Sequence, residues 1–469
     1  MNEIIGLSAF ELVKKIKLKD LSVLEITEAY IKQITLFNPI INALNQFKPE
    51  ELILQAKQAD KLTFSSKPLP LLHGLPLSIK DAFHVKGFFP SKGCPGLFGQ
   101  QSSFDARVIS RLRKAGAIIF GLTNTSELLL SYESDNLLYG RTNNPYDLKR
   151  TAGGSSGGQA ALIASRCIPA GLGNDAGGSI RQPAHYCGIS AHKPTHGLVP
   201  LTGIFPNHNI GLGAQILSIG PMAREVQDLR LILSVIAGSD AQDPNAISVP
   251  YYNKSPEIKK LRVAFFLENP MEESPCNNTV NVLSHMIKKL EPCVHSITNI
   301  FPQELKKAAR LHLDTFMYGG DGGLSIQNAL KRMGQKEITI LTKKFLELAK
   351  NSRFSVSEFR ARLVELDDFR IKMNMFMQDF DILLSPVTAS AARLHGETFK
   401  YREDIGYLLP YNLTGWPVTV VPCGLSADNL PIGIQIAAKK WKDGVCLSVA
   451  QKIQELAPIF LPKNYFDSH

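Results

Sequence analysis

At 469 residues the chain is longer than one small hydrophobic core requires, so it admits one large α/β domain or two ordinary ones. A hydrophobic content of 44% is that of a soluble globular protein, and no apolar run approaches the length needed to span a bilayer. Lys and Arg exceed Asp and Glu by 52 − 42 = 10, but pairs such as Lys288-Lys289, Lys306-Lys307 and Lys343-Lys344 are dispersed among acidic residues. This reads as a solvated basic exterior, and no nucleic-acid partner is expected.

The opening stretch, MNEIIGLSAFELVKKIKLKD, lacks a continuous apolar region and a small-residue cleavage site, and reads as mature sequence without a transmembrane anchor. Ser8-x-x-Glu11 and Ser22-x-x-Glu25 are capping-box patterns, the second followed by the helical periodicity Leu24, Ile26, Tyr30, Ile31, Ile34. LPLSIKD (75–81) then reads as a short buried strand after a His-Gly turn. AGAIIFGLTN (115–124) reads as a helix end, a glycine stop and a second buried strand. LRVAFF, DILLSP, PVTVVPCG and LPIGIQIA continue the series, alternating with helical segments. Between Ser355 and Phe380 the pattern Phe359, Leu363, Leu366, Phe369, Met373, Phe376, Phe380 predicts a long covering helix capped by Ser355. Asp243 to Pro256 is the best candidate hinge, yet the strands beyond it look like part of the same sheet. The expectation is one α/β domain, residues 1–469, with a central mixed sheet covered by helices on both faces.

The seven cysteines form no C-x-x-C pair, and the odd, scattered set predicts reduced thiols in a cytoplasmic protein, most of them in packing roles. The eleven histidines form no H-x-x-x-H or H-E-x-x-H cluster, so neither a metal nor another cofactor is expected.

The segment TAGGSSGGQAALIASRCIPAGLGNDAGGSIRQPAHYCG (151–188) sets two serines, Ser155 and Ser179, each after a glycine pair. Gly153-Gly-Ser155-Ser-Gly157 matches the G-x-S-x-G elbow of α/β-hydrolases, but the polar TNNPYDLKRTA before it is not the buried strand that elbow needs. A phosphate loop fails for want of a following Gly-Lys-Ser/Thr. Ser190-x-x-Lys193 and Ser134-Asp-Asn136 occur in the wrong order for a penicillin-binding enzyme, and K-T-G is absent. At Ser179 the case differs. Ala176, Gly177 and Gly178 precede it, so successive N–H groups can converge on one point, as an oxyanion hole requires; a plain glycine-rich turn is the alternative. A serine nucleophile also needs a base. His185 and His192 are near in sequence, and Lys80 ends an apolar strand where a surface lysine would be out of place; burial would keep its amine neutral.

LPLSIKD, GGSSGG and DAGGSIRQPA together resemble the amidase signature family of Ser-Ser-Lys hydrolases, with the family's spacings of 155 − 80 = 75 and 179 − 155 = 24. The resemblance continues through SAFELVKKI, LTNTSELLLSYESDNLLYGRTNNPYD, HKPTHGLVP, GPMAREVQDL, LLSPVT and NLTGWPVTVVPCG…LPIGIQIAAK, and fails only across about residues 270–375; the implied catalytic core is about 70–240. It implies Ser179 as the acylated nucleophile, Ser155 as a bridging serine in a cis peptide after Gly154, and Lys80 as the base. It further implies an oxyanion hole from the N–H groups of Ala176, Gly177, Gly178 and Ser179, a supporting hydrogen bond from Ser156, and a structural pair of Asp175 with Arg181. Asn174 stands where many members have Thr, and Ala176 where Thr or Ile is usual; both departures bear on substrate fit.

The tract SELLLSYESDNLLYGRTNNPYD is most similar to fatty-acid-amide-hydrolase-like members, which implies an apolar acyl pocket near Leu128, Leu129 and Leu130, with Ser131 and Asn174 as further pocket residues. A small-molecule amide is then the substrate, with a homo-oligomer left open. The rival is the glutaminase subunit of tRNA-dependent amidotransferases, but HLDTFMYGGDGGLSIQ does not match the ASSNLARYDG-like stretch those subunits usually carry. A catalytically dead binding scaffold is the third reading, against which the intact Lys80, Ser155 and Ser179 argue.

Overall fold

The computed structural model describes residues 2–65, 67–205, 211–249, 256–271, 274–458 and 460–462. Its centre is one eleven-stranded mixed sheet. In chain order the strands are β1 (Leu44–Phe47), β2 (Pro76–Lys80), β3 (Ile118–Thr123), β4 (Ala170–Asp175), β5 (Ser190–Lys193), β6 (Ser218–Ala223), β7 (Arg262–Phe265), β8 (Ser296–Asn299), β9 (Ile382–Pro386), β10 (Val418–Leu425) and β11 (Pro431–Ala437). Across the sheet they run β1-β3-β2-β4-β6-β5-β10-β11-β9-β7-β8. Strands from both sides of the segment around 243–256 share this sheet, so the chain folds as a single large domain; of the expected hinge, residues 250–255 lie outside the described residues.

The helices form where the caps predict them. Ser8 and Ser22 each close a full capping box, at α1 (Ala9–Leu18) and α2 (Val23–Ile41). Two helices that frame the glycine-rich segment, α3 (Gly157–Ala164) and α4 (Arg181–Cys187), are wholly buried and pack on each other. Further helices, Val226–Ile236, Asn277–Leu290 and Asp443–Leu456, pack as a second group against the sheet. The less recognisable segment contributes α5 (Leu305–His312), which runs into a π-helical turn over Leu313–Met317, and α6 (Ile340–Ala349). The long covering helix is α7 (Val356–Phe376), with its capping box at Ser355; it buries Leu366, Phe369 and Met373. No helix among the described residues is long and apolar enough to cross a membrane. The seven cysteines are free, and five of them are buried.

Most of the core is apolar, but its floor near 80, 155 and 175 is polar and fully covered. A buried polar group costs free energy unless hydrogen-bonded. The partners found there define the site.

Candidate active site

β2 and β4 are parallel neighbours with Ile79 opposite Leu172, so their carboxyl ends bring Lys80 beside Asn174 and Asp175. Carboxyl ends of parallel strands are where α/β sheets commonly hold ligands. Lys80 is fully buried, and its Nζ lies 2.6 Å from Ser155 Oγ and donates to Asn174 Oδ1 at 2.7 Å. Burial drives the Lys80 amine well below its ordinary value of 10.5; Asp175 and Asp81 pull the other way, and Lys92 adds to the lowering. Two polar partners suit a neutral amine, which gives a proton to Asn174 and offers its lone pair to the serine hydroxyl.

The loop carrying Ser155 is held from several sides, and its Gly154–Ser155 peptide is cis. The Ser155 carbonyl accepts from Thr125 Oγ1 at 2.6 Å and Ser134 Oγ at 3.2 Å, while the Gly154 N–H donates to Gln182 Oε1 at 2.9 Å. Residue 154 must be glycine, because a Cβ there would stand 2.5 Å from Glu133 N and 2.6 Å from Ser131 O. The Ser156 N–H donates to the Ser179 carbonyl at 3.2 Å, which ties the two serine loops together. Ser156 makes this bond through its backbone, while its hydroxyl is buried without a partner among the described residues.

Between Asp175 and Ile180 the backbone shows a regular division. The Asp175 carboxylate accepts from the Gly178 N–H at 2.7 Å and the Ile180 N–H at 3.2 Å. The N–H groups of Ala176, Gly177 and Ser179 have no protein partner among the described residues. The expected set of four free donors is thus three, because Gly178 is committed to Asp175. Ser179 is only partly buried, and its hydroxyl has no protein partner among the described residues.

Arg181 clamps Asp175 with both prongs, Nε to Oδ2 and Nη2 to Oδ1, each at 3.0 Å and with neither side chain exposed. Burial by itself would raise the Asp175 carboxyl, but the Arg181 charge and hydrogen bonds, with help from Lys193 and Asn412, hold it well below the usual carboxylate range. The remaining Arg181 donors reach Leu408 O at 2.8 Å, Gln435 Oε1 at 3.1 Å and Asn412 Oδ1 at 2.6 Å. These bonds anchor the loop to segments more than two hundred residues away.

Neither histidine weighed as a base reaches this centre. His185 Nδ1 accepts from the Gly433 N–H at 2.8 Å and its Nε2 donates to Ser390 O at 3.0 Å; His192 lies between Thr419 Oγ1 and Asp443 Oδ1. Of the residues assigned to the pocket, two have polar groups held by protein partners. The Ser131 hydroxyl is occupied by the Glu133 backbone at 3.0 and 3.2 Å, and Asn174 turns to Lys80. Leu129 is half-buried and packs on the main core, while Leu130 packs with Leu313, Met317, Tyr318 and Phe345 from the unrecognised segment. Glu127 joins the two, its Oε2 accepting from the Thr339 N–H at 2.9 Å and Thr342 Oγ1 at 2.6 Å. Sequence reasoning missed Tyr132, Asn412 and His312. Tyr132 and Asn412 stand inside stretches that carry the resemblance, whereas His312 has no sequence signal.

A buried lysine amine lowered below its ordinary value beside a serine, and backbone N–H groups without a protein partner among the described residues beside a second serine, are the equipment of an acyl-transfer hydrolase. The sequence profile of the Amidase family matches residues 25–447, and the chain belongs to that family, the amidase signature enzymes, as an amide-hydrolysing enzyme. The chain is 32% identical to fatty-acid amide hydrolase 2-B of Danio rerio, over 97% of this chain and 90% of that protein. It is 30% identical to a glutamyl-tRNA(Gln) amidotransferase subunit of Chloroflexus aggregans, over 93% of each. Among solved structures, a fatty acid amide hydrolase superposes with a TM-score of 0.86 at 25% identity, covering 98% of this chain and 86% of that one.

Proposed function

We propose that the chain hydrolyses a carboxylic amide with an apolar acyl group, through an acyl-enzyme formed on Ser179. The observation that carries this reading is the fully buried Lys80 amine, 2.6 Å from the Ser155 hydroxyl and held otherwise, among the described residues, by Asn174 alone. Ser179 Oγ attacks the amide carbon while its proton passes to Ser155 and the Ser155 proton passes to Lys80. The N–H groups of Ala176, Gly177 and Ser179 receive the developing oxyanion. Collapse breaks the C–N bond, and the leaving amine takes the proton back from Lys80 through Ser155. Water then attacks the acyl-enzyme along the same proton path, releasing the acid.

The apolar acyl preference rests on the named activity of the fatty-acid amide hydrolase 2 relative and on Leu128, Leu129 and Leu130, which are only half-buried. The second reading is a glutaminase subunit, favoured by the glutamyl-tRNA(Gln) amidotransferase relative at similar identity over most of the chain. Hydrolysis of straight-chain acyl amides of graded length, with free glutamine alongside, separates the two. Each buried methylene is worth up to about 0.8 kcal/mol, so kcat/KM should rise by up to about fourfold per carbon until the pocket fills. Fluorophosphonate should label wild-type chain and leave Ser179→Ala unlabelled. Faster hydrolysis of glutamine than of medium-chain amides, or labelling that survives Ser179→Ala, would overturn the proposal.

A further inference from the structure

Five peptide carbonyls line the turn from Asp175 to Ser179, and each is held from behind. Asn412 Nδ2 donates to Asp175 O at 3.2 Å, Tyr132 OH to Gly177 O at 2.7 Å, Gln182 N–H to Gly178 O at 2.8 Å and Ser156 N–H to Ser179 O at 3.2 Å. The Ala176 carbonyl is held by His312 Nε2 at 2.7 Å. A carbonyl only accepts, so Nε2 carries the hydrogen and Nδ1 is a bare lone pair. Nδ1 is buried with no partner among the described residues, which leaves no acceptor for a second ring proton. Burial pushes the imidazole down to about 4, in keeping with this neutral tautomer.

The peptide unit joining Ala176 to Gly177 is a rigid plane in which C=O and N–H point in opposite directions. We propose that His312 is a positioning residue for amide hydrolysis: by holding the Ala176 oxygen it keeps the Gly177 N–H turned toward the reacting carbonyl. This rests on the reading of Ser179 as nucleophile with the neighbouring N–H groups as its oxyanion donors. Around Ala176 the side-chain packing is apolar, with Leu212, Leu311 and Phe316 in the same cluster, and among the described residues its carbonyl has no second hydrogen-bond donor. An unpaired carbonyl in such surroundings is costly, and the plane would turn to find a partner. Gly177 has no side chain to oppose that turn. His312 closes α5 just where the helix passes into the π-helical turn Leu313–Met317, a local widening common beside functional sites. The segment without recognisable motifs thus supplies a part of the catalytic frame.

Two variants separate the donor from the ring. His312→Phe keeps the aromatic volume and removes the N–H; His312→Gln keeps an N–H of similar reach. Losing a donor from an oxyanion site costs about 10²–10³ in kcat, so loosening one should cost about 10- to 100-fold. The phenylalanine variant should show that loss in kcat with KM within about twofold, and glutamine should restore kcat to within about threefold of wild type. Wild-type kcat in His312→Phe, or equal losses in both variants at unchanged melting temperature, overturns the proposal. If the phenylalanine variant does not fold, His312→Asn replaces it, because its shorter amide cannot span to Ala176; the same loss is expected, and wild-type kcat overturns. Ser179→Ala run alongside distinguishes the failures. Turnover surviving in Ser179→Ala overturns the nucleophile reading and this proposal together, whereas a dead Ser179→Ala with an undiminished His312→Phe overturns this proposal alone.

Discussion

Lys80→Met keeps an unbranched side chain in the same buried slot and removes only the amine, which makes it the sharpest probe of the proton path. A positioned general base contributes about 10²–10⁴ in rate, equivalent to about 3–5 kcal/mol of barrier, and a loss of that size in kcat is expected. The same substitution has a thermodynamic signature. Burial holds the folded amine well below 10.5, so between the lowered folded value and 10.5 the unfolded chain binds one proton more than the folded one. Stability from this group therefore rises with pH through that window, by about 1.4 kcal/mol per unit, and activity likewise rises as the folded amine loses its proton. Methionine has no proton to bind. Any stability difference in its favour should shrink by about 1.4 kcal/mol for each pH unit climbed, on top of a constant cost for the unpaired Ser155 hydroxyl and Asn174 oxygen. Urea unfolding of both proteins in half-unit steps from pH 7 to 9.5, with turnover measured in the same buffers, reads both effects. Parallel stability profiles would show that Lys80 stays charged in the fold, and undiminished kcat would show that another group is the base.

Asp175→Asn strips the carboxylate from Arg181 and leaves a fully buried cation without its counter-charge, so unfolding free energy should fall by about 3–5 kcal/mol in urea titrations; a fall below about 1 kcal/mol would contradict a structural pair. Glu127→Ala leaves the Thr339 N–H and the Thr342 hydroxyl without their acceptor at the start of α6. It should cost about 1–3 kcal/mol and open residues 320–350 to limited proteolysis before the rest of the chain; uniform cleavage would refute the clamp.

What could be read from the sequence follows the physics of each element. β2, β3, β7, β9, β10 and β11 were legible because runs such as LPLSI and AIIF are apolar and bounded by turn residues. β4 was not: it reads Ala-Gly-Leu-Gly-Asn-Asp, with one large apolar side chain, and it is a strand only because β2 and β6 pair with it on either side. The capping boxes at Ser8, Ser22 and Ser355 are local and were all visible. In the site, Lys80 stood out as a lysine ending an apolar strand, while its choice over His185 and His192 needed the resemblance, since all three are buried ionisable groups near glycine-rich loops. The commitment of Gly178 to Asp175, the turn of Asn174 toward Lys80 and the bond from His312 to Ala176 could not be read. Each depends on where a side chain points once distant segments are packed, and no spacing along the chain encodes that direction.

The charges of the site make one further sense of its construction. The loop that presents Ser179 is anchored by the Asp175 carboxylate, which takes the N–H groups of Gly178 and Ile180 on separate oxygens. That same carboxylate favours the protonated form of Lys80, the state that could not serve as the proposed base. Arg181 reconciles the two demands. It pairs with Asp175 at 3.0 Å on both oxygens without exposing either group to water, so the loop keeps its acceptor while the buried charge is balanced. A lysine at position 181 could balance the charge but could not span both oxygens and still reach Leu408, Gln435 and Asn412, as the planar guanidinium does. The pair that looks like scaffolding therefore also balances a charge that would otherwise favour a protonated Lys80.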